Sequence, residues 1–337
     1  MSESKRRSSS AAPHRVDLRD HTEQIVRAAC RAPSLHNAQP WGFRVGPAEV
    51  EIHADRTRRV PVVDPEDRQL FIGVGAAVFG LRLALAQLGL RPVVRLAREP
   101  ARPDLAAVVV AAGPAAAAAA DDALYAQLDR RRTVRGPFTD DAVPVPLQIR
   151  LTEVARREGV TPHWLVQQGP RQALAAIVQA AERHQQSDPR FRAELARWTG
   201  SSVAQDRTGI PPENIGTATR SGAQAQFALR DFTSGRGTQD SRPEAHPGIL
   251  ALCTPTDRRA DWLRTGQALH HLLLVAADAG HAASYINQPL ELPRLRSRLR
   301  AELWLRDHPQ LILRIGRPTG ALPPATPRRP TADVLLP

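Results

Sequence analysis

The sequence of 337 residues is poor in cysteine, with Cys30 and Cys253 far apart and no Cys-x-x-Cys pair. Such a chain has no disulfide framework and no cysteine-rich zinc site. It is typical of a reducing compartment, so a cytoplasmic location is expected. Residues 1–14 are basic and rich in serine, with no apolar stretch behind them. This start predicts a disordered tail and not a secretory signal.

Lysine and aromatic residues are scarce as well, since Lys5 is the only lysine and aromatic residues make up 4% of the chain. The formal net charge of +12 therefore comes from arginine. Nucleic-acid-binding surfaces combine clustered basic side chains with aromatic ones, whereas these arginines are scattered among Asp and Glu. The charge indicates a small anionic ligand and no nucleic-acid partner. No uncharged apolar run is long enough to span a membrane, so no membrane partner is predicted.

The most specific segment is residues 32–41, which read Ala-Pro-Ser-Leu-His-Asn-Ala-Gln-Pro-Trp. Pro33 and Pro40 disfavour helix and predict a fixed loop. Three side chains in this loop can donate and accept hydrogen bonds: Ser34, Asn37 and Gln39. Together with the apolar Trp41 they suit a flat heteroaromatic ligand with polar edges. The alternative is a rigid turn whose amides only satisfy the neighbouring backbone.

This loop resembles the Ala-Pro-Ser-x-x-Asn-x-Gln-Pro-Trp signature of the FMN-dependent nitroreductase family. The resemblance implies an FMN cofactor, NAD(P)H as a co-substrate, and an α+β fold of the nitroreductase type. It also implies that the signature loop, residues 32–41, contacts the flavin through several of its residues. These are Pro33, Ser34, Leu35, Asn37 and Gln39.

A second segment, residues 131–138, reads Arg-Arg-Thr-Val-Arg-Gly-Pro-Phe and resembles the Arg-Arg-Ser-x-Arg-x-Phe motif of the same family. Guanidinium groups bind phosphate oxygens through paired, charge-assisted hydrogen bonds, and a hydroxyl can add to them. The residues expected to bind FMN at its phosphate are Arg131, Arg132, Thr133 and Arg135. The alternative is a basic helix end, favoured only by the helix dipole.

Two further segments resemble flavin-binding parts of the family. Residues 284–288 resemble the segment whose backbone amides face the flavin N5 edge, and residues 327–330 lie where the family places further basic residues on the phosphate. The residues implied are Ser284, Tyr285, Ile286, Asn287, Arg328 and Arg329. For residues 327–330 the alternative is a solvated, proline-rich tail.

The chain shows one internal repetition. Helices are predicted over residues 75–88 and 266–279, and glycines at 89 and 280 follow them at the same spacing. Each predicted helix is followed by an extended segment and then by an apolar strand. We therefore predict an α+β fold of two fused nitroreductase-like repeats, residues 15–120 and 121–337, each with a mixed or antiparallel sheet flanked by helices. The alternative is two unrelated amphipathic helices of equal length.

The family normally forms a homodimer, so the duplication implies a monomer that contains an internal pseudo-dimer. The signature loop lies in the first repeat and the phosphate motif in the second. The second repeat has no signature loop, because residues 153–163 run on through Gly159. The chain therefore has the parts of one FMN site. Residues 200–241 are weakly patterned and predict a lid-like insertion. Duplication, one flavin and a lid together resemble the Acg-type branch of the family.

The resemblance implies an NAD(P)H-dependent oxidoreductase that passes a hydride or electrons through FMN N5 to a nitroaromatic or quinone-type acceptor. The alternative is an FMN storage or sequestration protein whose lid covers the flavin, and a third possibility is a flavin-free scaffold. Because the cofactor carries the chemistry, no catalytic side chain is predicted, and His36 is expected to make a supporting hydrogen bond. The adjacent His270 and His271 diverge on a helix, so no metal site is predicted.

Overall fold

The computed structural model describes residues 16–97, 101–115, 118–200, 206–215, 218–219, 230–232, 238–239 and 247–337. The predicted tail over residues 1–14 lies outside the described residues. Much of the predicted lid over residues 200–241 lies outside them too, although three pieces of it are described together with two short strands.

The first half of the chain forms a four-stranded antiparallel sheet. Its strands are β1 (Trp41–Val45), β2 (Glu49–Ala54), β3 (Leu90–Leu96) and β4 (Leu105–Pro114). They are arranged in the order β1-β2-β4-β3. Side chains alternate between the two faces of a strand, and on β2 this alternation buries Val50 and Ile52 completely.

The second half forms another four-stranded antiparallel sheet with the same arrangement. In chain order the strands are β5 (Thr161–Trp164), the short parallel pair β6 (Ala218–Thr219) and β7 (Thr238–Gln239), β8 (Gly248–Thr254), β9 (Ala282–Tyr285) and β10 (His308–Gly316). The sheet order is β5-β8-β10-β9. Each sheet therefore places its first, second, fourth and third strands side by side.

Helices flank and separate the two sheets. They are α1 (Thr22–Cys30), α2 (Arg68–Gln87), α3 (Ala119–Gln127), α4 (Val145–Arg157), α5 (Gln168–Ser187), α6 (Pro189–Arg197), α7 (Pro212–Ile215), α8 (Arg259–Asp278) and α9 (Pro293–Glu302). Helix α2 packs on the first sheet, α8 packs on the second, and the two helices pack on each other. The main hydrophobic core includes residues from both of these helices.

Helices α2 and α8 have the same length and meet at equivalent positions. Phe71 stacks on Trp262, and Phe79 meets His270 edge to face. The contact that comes first along α2 also comes first along α8, so the two helices run in the same direction. At Gly75 an added Cβ would lie 2.2 Å from the backbone oxygen of Leu263, so the pair packs backbone to backbone and only glycine fits there.

Helices α2 and α8 begin about two turns earlier than the sequence predicts. Residues 64–67 fold into turns directly before α2, and the Asp64 carboxylate accepts a hydrogen bond from Leu70 N at 2.8 Å. Arg68, whose charge interrupts the apolar pattern, is buried in this first turn and donates to Gln310 O. Helix α3 ends at Gln127, so Arg131 and Arg132 lie in an irregular segment and not at a helix end as the alternative required.

Helix α2 is the one helix among the described residues that is long and apolar enough to cross a membrane by length and composition. Its most apolar 18-residue window has a mean hydropathy of 1.8, and 89% of that window is buried inside the protein. Such burial is typical of the core helix of a soluble protein.

Candidate functional site

A cleft lies between the two halves of the chain and encloses about 1510 Å³ of empty space, open solvent included. The first half contributes the signature loop and the start of α2. The second half contributes residues 128–135 and 284–291 and a segment near the C-terminus, residues 324–328. The parts predicted from separate motifs therefore meet at one place.

The signature loop has an unusual backbone. Residues 35–37 form a single 3-10 turn, in which His36 and Asn37 have φ of 48° and 55°, and Gln39 has φ of 53°. Non-glycine residues rarely adopt this left-handed conformation, and such strain concentrates at functional sites. Ser34 Oγ accepts a hydrogen bond from Gln39 N at 3.0 Å, which fixes the turn.

The amide side chains of this loop bind protein segments that are distant in sequence. Asn37 Nδ2 donates to Gly209 O and to Pro327 O, both at 3.0 Å, and Asn37 Oδ1 accepts from Arg328 at 2.9 Å. Gln39 is fully buried and donates to Arg207 O at 2.7 Å. Asn37 lines the cleft, whereas Gln39 does not. The alternative interpretation required these amides to satisfy only the neighbouring backbone, whereas their main partners belong to distant segments, which leave Gln39 and most of the hydrogen-bonding capacity of Asn37 unavailable to a ligand.

Arginines from both halves cluster on one wall of the cleft. Arg131 donates to Arg31 O at 3.3 Å, Arg328 donates to Cys30 O at 2.8 Å, and Arg132 donates to Pro323 O at 3.2 Å. These acceptors are neutral carbonyls. The carboxylate on this wall is Asp129, which pairs with Arg31 at 2.6 Å.

The electrostatics of this cluster are unfavourable in the absence of an anion. Burial, and then the charges of Arg131 and Arg31, lower the pKa of Arg328 to about 9. Burial also lowers the pKa of Arg131, whose Nε is buried and has no hydrogen-bond partner among the described residues. A phosphate dianion placed here would satisfy that donor and neutralise the mutual repulsion.

Arg135 occupies another wall of the cleft. Its guanidinium donates to Asn214 O at 2.6 Å and lies 5.0 Å from the ring centre of Phe232. Burial lowers its pKa to about 10. Asn214 and Phe232 belong to the predicted lid, so the described pieces of that segment do reach the cleft.

Most of the residues predicted to bind FMN line the cleft, and a few lie outside it. Those that line the cleft are Pro33, Ser34, Leu35, Asn37, Arg131, Arg132, Thr133, Arg135, Ser284, Tyr285, Asn287 and Arg328. Ile286 is fully buried in a separate hydrophobic cluster beneath the second sheet. Arg329 points away from the cleft, and its guanidinium lies 3.5 Å from the Asp55 carboxylate.

Several lining residues carry no recognisable signal in the sequence. Gln69, Ile72 and Gly73 come from the first turns of α2, where the sequence predicts no helix. Others come from the insertion and from the turn after β9. They are Ile210, Asn214, Ile215, Arg230, Phe232 and Glu291.

His36 does not make the predicted supporting hydrogen bond through Nε2. This atom is buried and has no partner within the described part of the chain, and the ring lies edge to face with Phe232 at 6.2 Å. Burial, and then the charge of Arg230, lower the pKa of His36 well below its ordinary value, so the ring is neutral. No group of potential metal ligands occurs among the described residues.

Fold and site together define an α+β protein whose two four-stranded sheets, in the part of the chain that the structure describes, have identical strand order, with an arginine-lined cleft between the two halves. No family model matches the chain. It is 34% identical over 320 residues to the Mycobacterium tuberculosis protein "Putative NAD(P)H nitroreductase Rv3131", covering 92% of this chain and 90% of that one. It is 32% identical over 329 residues to "Putative NAD(P)H nitroreductase acg" of the same organism, covering 96% and 97%. The chain therefore belongs to the nitroreductase family, and the predicted resemblance to the Acg-type branch is confirmed.

The structure of "FMN and NADPH-dependent nitroreductase NfnB" from Sphigopyxis sp. strain HMH aligns with a TM-score of 0.41 and 20% identity. The alignment covers 63% of this chain and 96% of that one.

Proposed function

We propose that this protein binds one FMN in the cleft and acts as an NAD(P)H-dependent oxidoreductase. The observation that carries the proposal is the cluster of Arg131, Arg132 and Arg328, which faces the cleft with neutral carbonyls as partners. The names of the relatives, which are putative NAD(P)H nitroreductases, support NAD(P)H as the electron donor.

The arginine cluster would hold the phosphate, and Thr133 would add its hydroxyl. Ser34 would contact the cofactor through its hydroxyl, whose oxygen also accepts from Gln39 N. Bound FMN would supply the redox chemistry, namely hydride transfer from NAD(P)H and transfer of two electrons to a nitroaromatic or quinone-type acceptor. Arg135 is buried and positively charged, so it favours negative charge in the cleft.

We further propose that the two halves are repeats of one unit and that one cofactor binds per chain. In the first half, ten residues, 31–40, separate α1 from β1, whereas three residues, 158–160, separate α4 from β5. Gly73 of α2 has Arg264 as its equivalent in α8, and the Arg264 side chain lies against Gly159. A loop this short and a side chain this large leave no room for a second flavin, so an internal pseudo-dimer and a monomer are expected.

The absorption spectrum of the purified protein tests both proposals. We expect flavin bands, release of FMN on denaturation, and one FMN per chain. Replacing Arg131 and Arg135 together by Ala should yield a colourless protein with unchanged far-UV circular dichroism. A wild-type preparation that is colourless and cannot be reconstituted with FMN would contradict the cofactor assignment, and two FMN per chain would contradict the single site.

A storage or sequestration role is the second candidate, because the insertion lines the cleft. Ile210, Ile215 and Phe232 contribute apolar surface there, and Gly209 N donates to Asn37 O at 3.3 Å. A segment in this position can block nicotinamide from stacking on the flavin. Anaerobic mixing with NADPH separates the candidates: rapid bleaching of the flavin supports the enzyme, and an unresponsive yellow protein supports storage.

A further inference from the structure

The cleft contains a second set of polar groups besides the arginine cluster. Arg230 and His36 lie close enough for the charge of Arg230 to act on the His36 ring, and Phe232 lies edge to face with that ring. Arg230 and Phe232 come from the insertion, and His36 comes from the signature loop. All three line the same cleft.

The Arg230 guanidinium makes some of its contacts with protein groups and leaves one nitrogen without a partner among the described residues. Its guanidinium pairs with the Glu291 carboxylate and lies 5.5 Å from the ring centre of Phe191. The side chain is 8% exposed. Its Nη1 is buried and has no hydrogen-bond partner among the described residues, as is also true of His36 Nε2. Buried donors without partners are costly, so these two, which line the same cleft in addition to Arg131 Nε, indicate a ligand group that satisfies both.

The charges of the residues that line the cleft indicate that this ligand group is negatively charged. Among the described lining residues, six are arginines and two are carboxylates. A bound phosphate would neutralise about two positive charges. The cleft would still carry positive charge. Within the second set of groups, the nitrogen without a partner on an arginine is Arg230 Nη1.

We infer that Arg230 Nη1 and His36 Nε2 form a subsite for an oxyanion carried by an aromatic electron acceptor, such as a carboxylate or a phenolate, with Phe232 against its ring. This inference rests on the proposed function, since it concerns the molecule that shares the cleft with FMN. His36 is neutral and would act through its Nε2–H tautomer. The insertion then selects substrates in addition to covering the cleft.

Benzoate and its uncharged isostere benzamide test the inference by difference spectroscopy of the FMN-loaded protein. We expect wild type to bind benzoate more tightly than benzamide. Arg230→Gln should weaken benzoate binding at least tenfold and leave benzamide binding unchanged, because a buried charge-assisted hydrogen bond is lost. Arg183→Gln, which changes an exposed arginine on α5, is the matched control and should behave as wild type.

His36→Asn is the second variant, since asparagine tolerates the positive φ of that position and removes Nε2. It should weaken benzoate binding several-fold. If Arg230→Gln does not fold, this variant tests the subsite on its own. With an active enzyme, both variants should raise KM for 4-nitrobenzoate and leave KM for 4-nitrobenzamide unchanged.

Failure of the proposed function and failure of the subsite give different results. A wild-type protein without FMN contradicts the proposed function. A flavin-loaded wild type that prefers benzamide, or variants that keep FMN and bind benzoate as wild type does, overturn the subsite alone.

Discussion

Gly75 of α2 and Gly266 of α8 occupy equivalent positions, and each lies against the backbone of the opposite helix. An added Cβ would lie 2.2 Å from Leu263 O at Gly75 and 2.0 Å from Ile72 O at Gly266. This contact joins the two sheets through their central helices, and the cleft begins at the neighbouring Ile72 and Gly73. Close helix packing therefore sets the width of the site.

Gly75→Ala should destabilise the protein by about 2–4 kcal/mol, because a methyl group cannot enter the contact unless the helices separate. Urea unfolding of the flavin-free protein measures the effect. Gly320→Ala is the control, since Gly320 is exposed and a Cβ there meets nothing within 4 Å. This control should change the stability little. Equal stability of Gly75→Ala and wild type would contradict the packing argument.

The signature loop and the phosphate motif could be predicted because their residues are close in sequence and chemically distinctive. The start of α2 could not be predicted in the same way. Arg68, in the first turn of α2, is buried and donates to the backbone oxygens of Leu290 and Gln310. Those partners are more than 200 residues away, so no local pattern contains them.

Adjacent residues with similar chemistry could not be assigned separately either. Arg328 lines the cleft, whereas Arg329 lies outside it near Asp55. The direction of each side chain follows from how residues 326–329 cross the signature loop, a contact between the two ends of the chain. The contacts of Gln39 could not be predicted either, because its partners, Arg207 and Arg329, are distant in the sequence.

Arg131→Met should have opposite effects on stability and on cofactor binding. In the FMN-free protein it removes a buried charge that lacks a carboxylate partner, and stability should rise by about 1 kcal/mol. FMN affinity should fall at least tenfold, because a charge-assisted hydrogen bond to phosphate is lost. Calorimetry of the FMN-free protein and quenching of FMN fluorescence measure the two effects.

Arg130→Met is the control for this trade-off, because Arg130 is the neighbouring residue and is exposed. It should change neither quantity measurably. If Arg131→Met bound FMN as tightly as wild type, Arg131 would be a structural residue, and the phosphate would have to be held elsewhere.

Asn37→Asp should release the segment around Gly209 from the signature loop. The substitution tolerates the positive φ of Asn37 but removes both Nδ2–H donors, and the new carboxylate would face the carbonyl oxygens of Gly209 and Pro327. Limited trypsin digestion should cleave after Arg207 several-fold faster than in wild type. A parallel thermal melt shows whether the effect is local. Unchanged cleavage at Arg207 would mean that other contacts hold this segment in place.

The stability of the protein should depend on the protonation of His270, which lies at the contact of α2 and α8. Burial, and then the charge of Arg131, lower the pKa of His270 to about 3 from an ordinary value of 6.5. The folded protein disfavours the proton that the unfolded chain takes up. The contribution of the neutral ring is therefore complete above pH 6.5 and is lost as the pH falls towards 3.

His270→Phe removes this dependence and keeps an aromatic ring against Phe79. Between pH 6.5 and pH 5.0 the free energy of unfolding of wild type should fall by about 1.6 kcal/mol more than that of the variant, because one group contributes about 1.4 kcal/mol per pH unit well below its unfolded-state pKa and half of that at it. Urea unfolding of the flavin-free proteins at the two pH values gives the difference directly. Parallel pH profiles would mean that His270 becomes protonated inside the fold, and the helix contact would then have to open at mildly acidic pH to hydrate it.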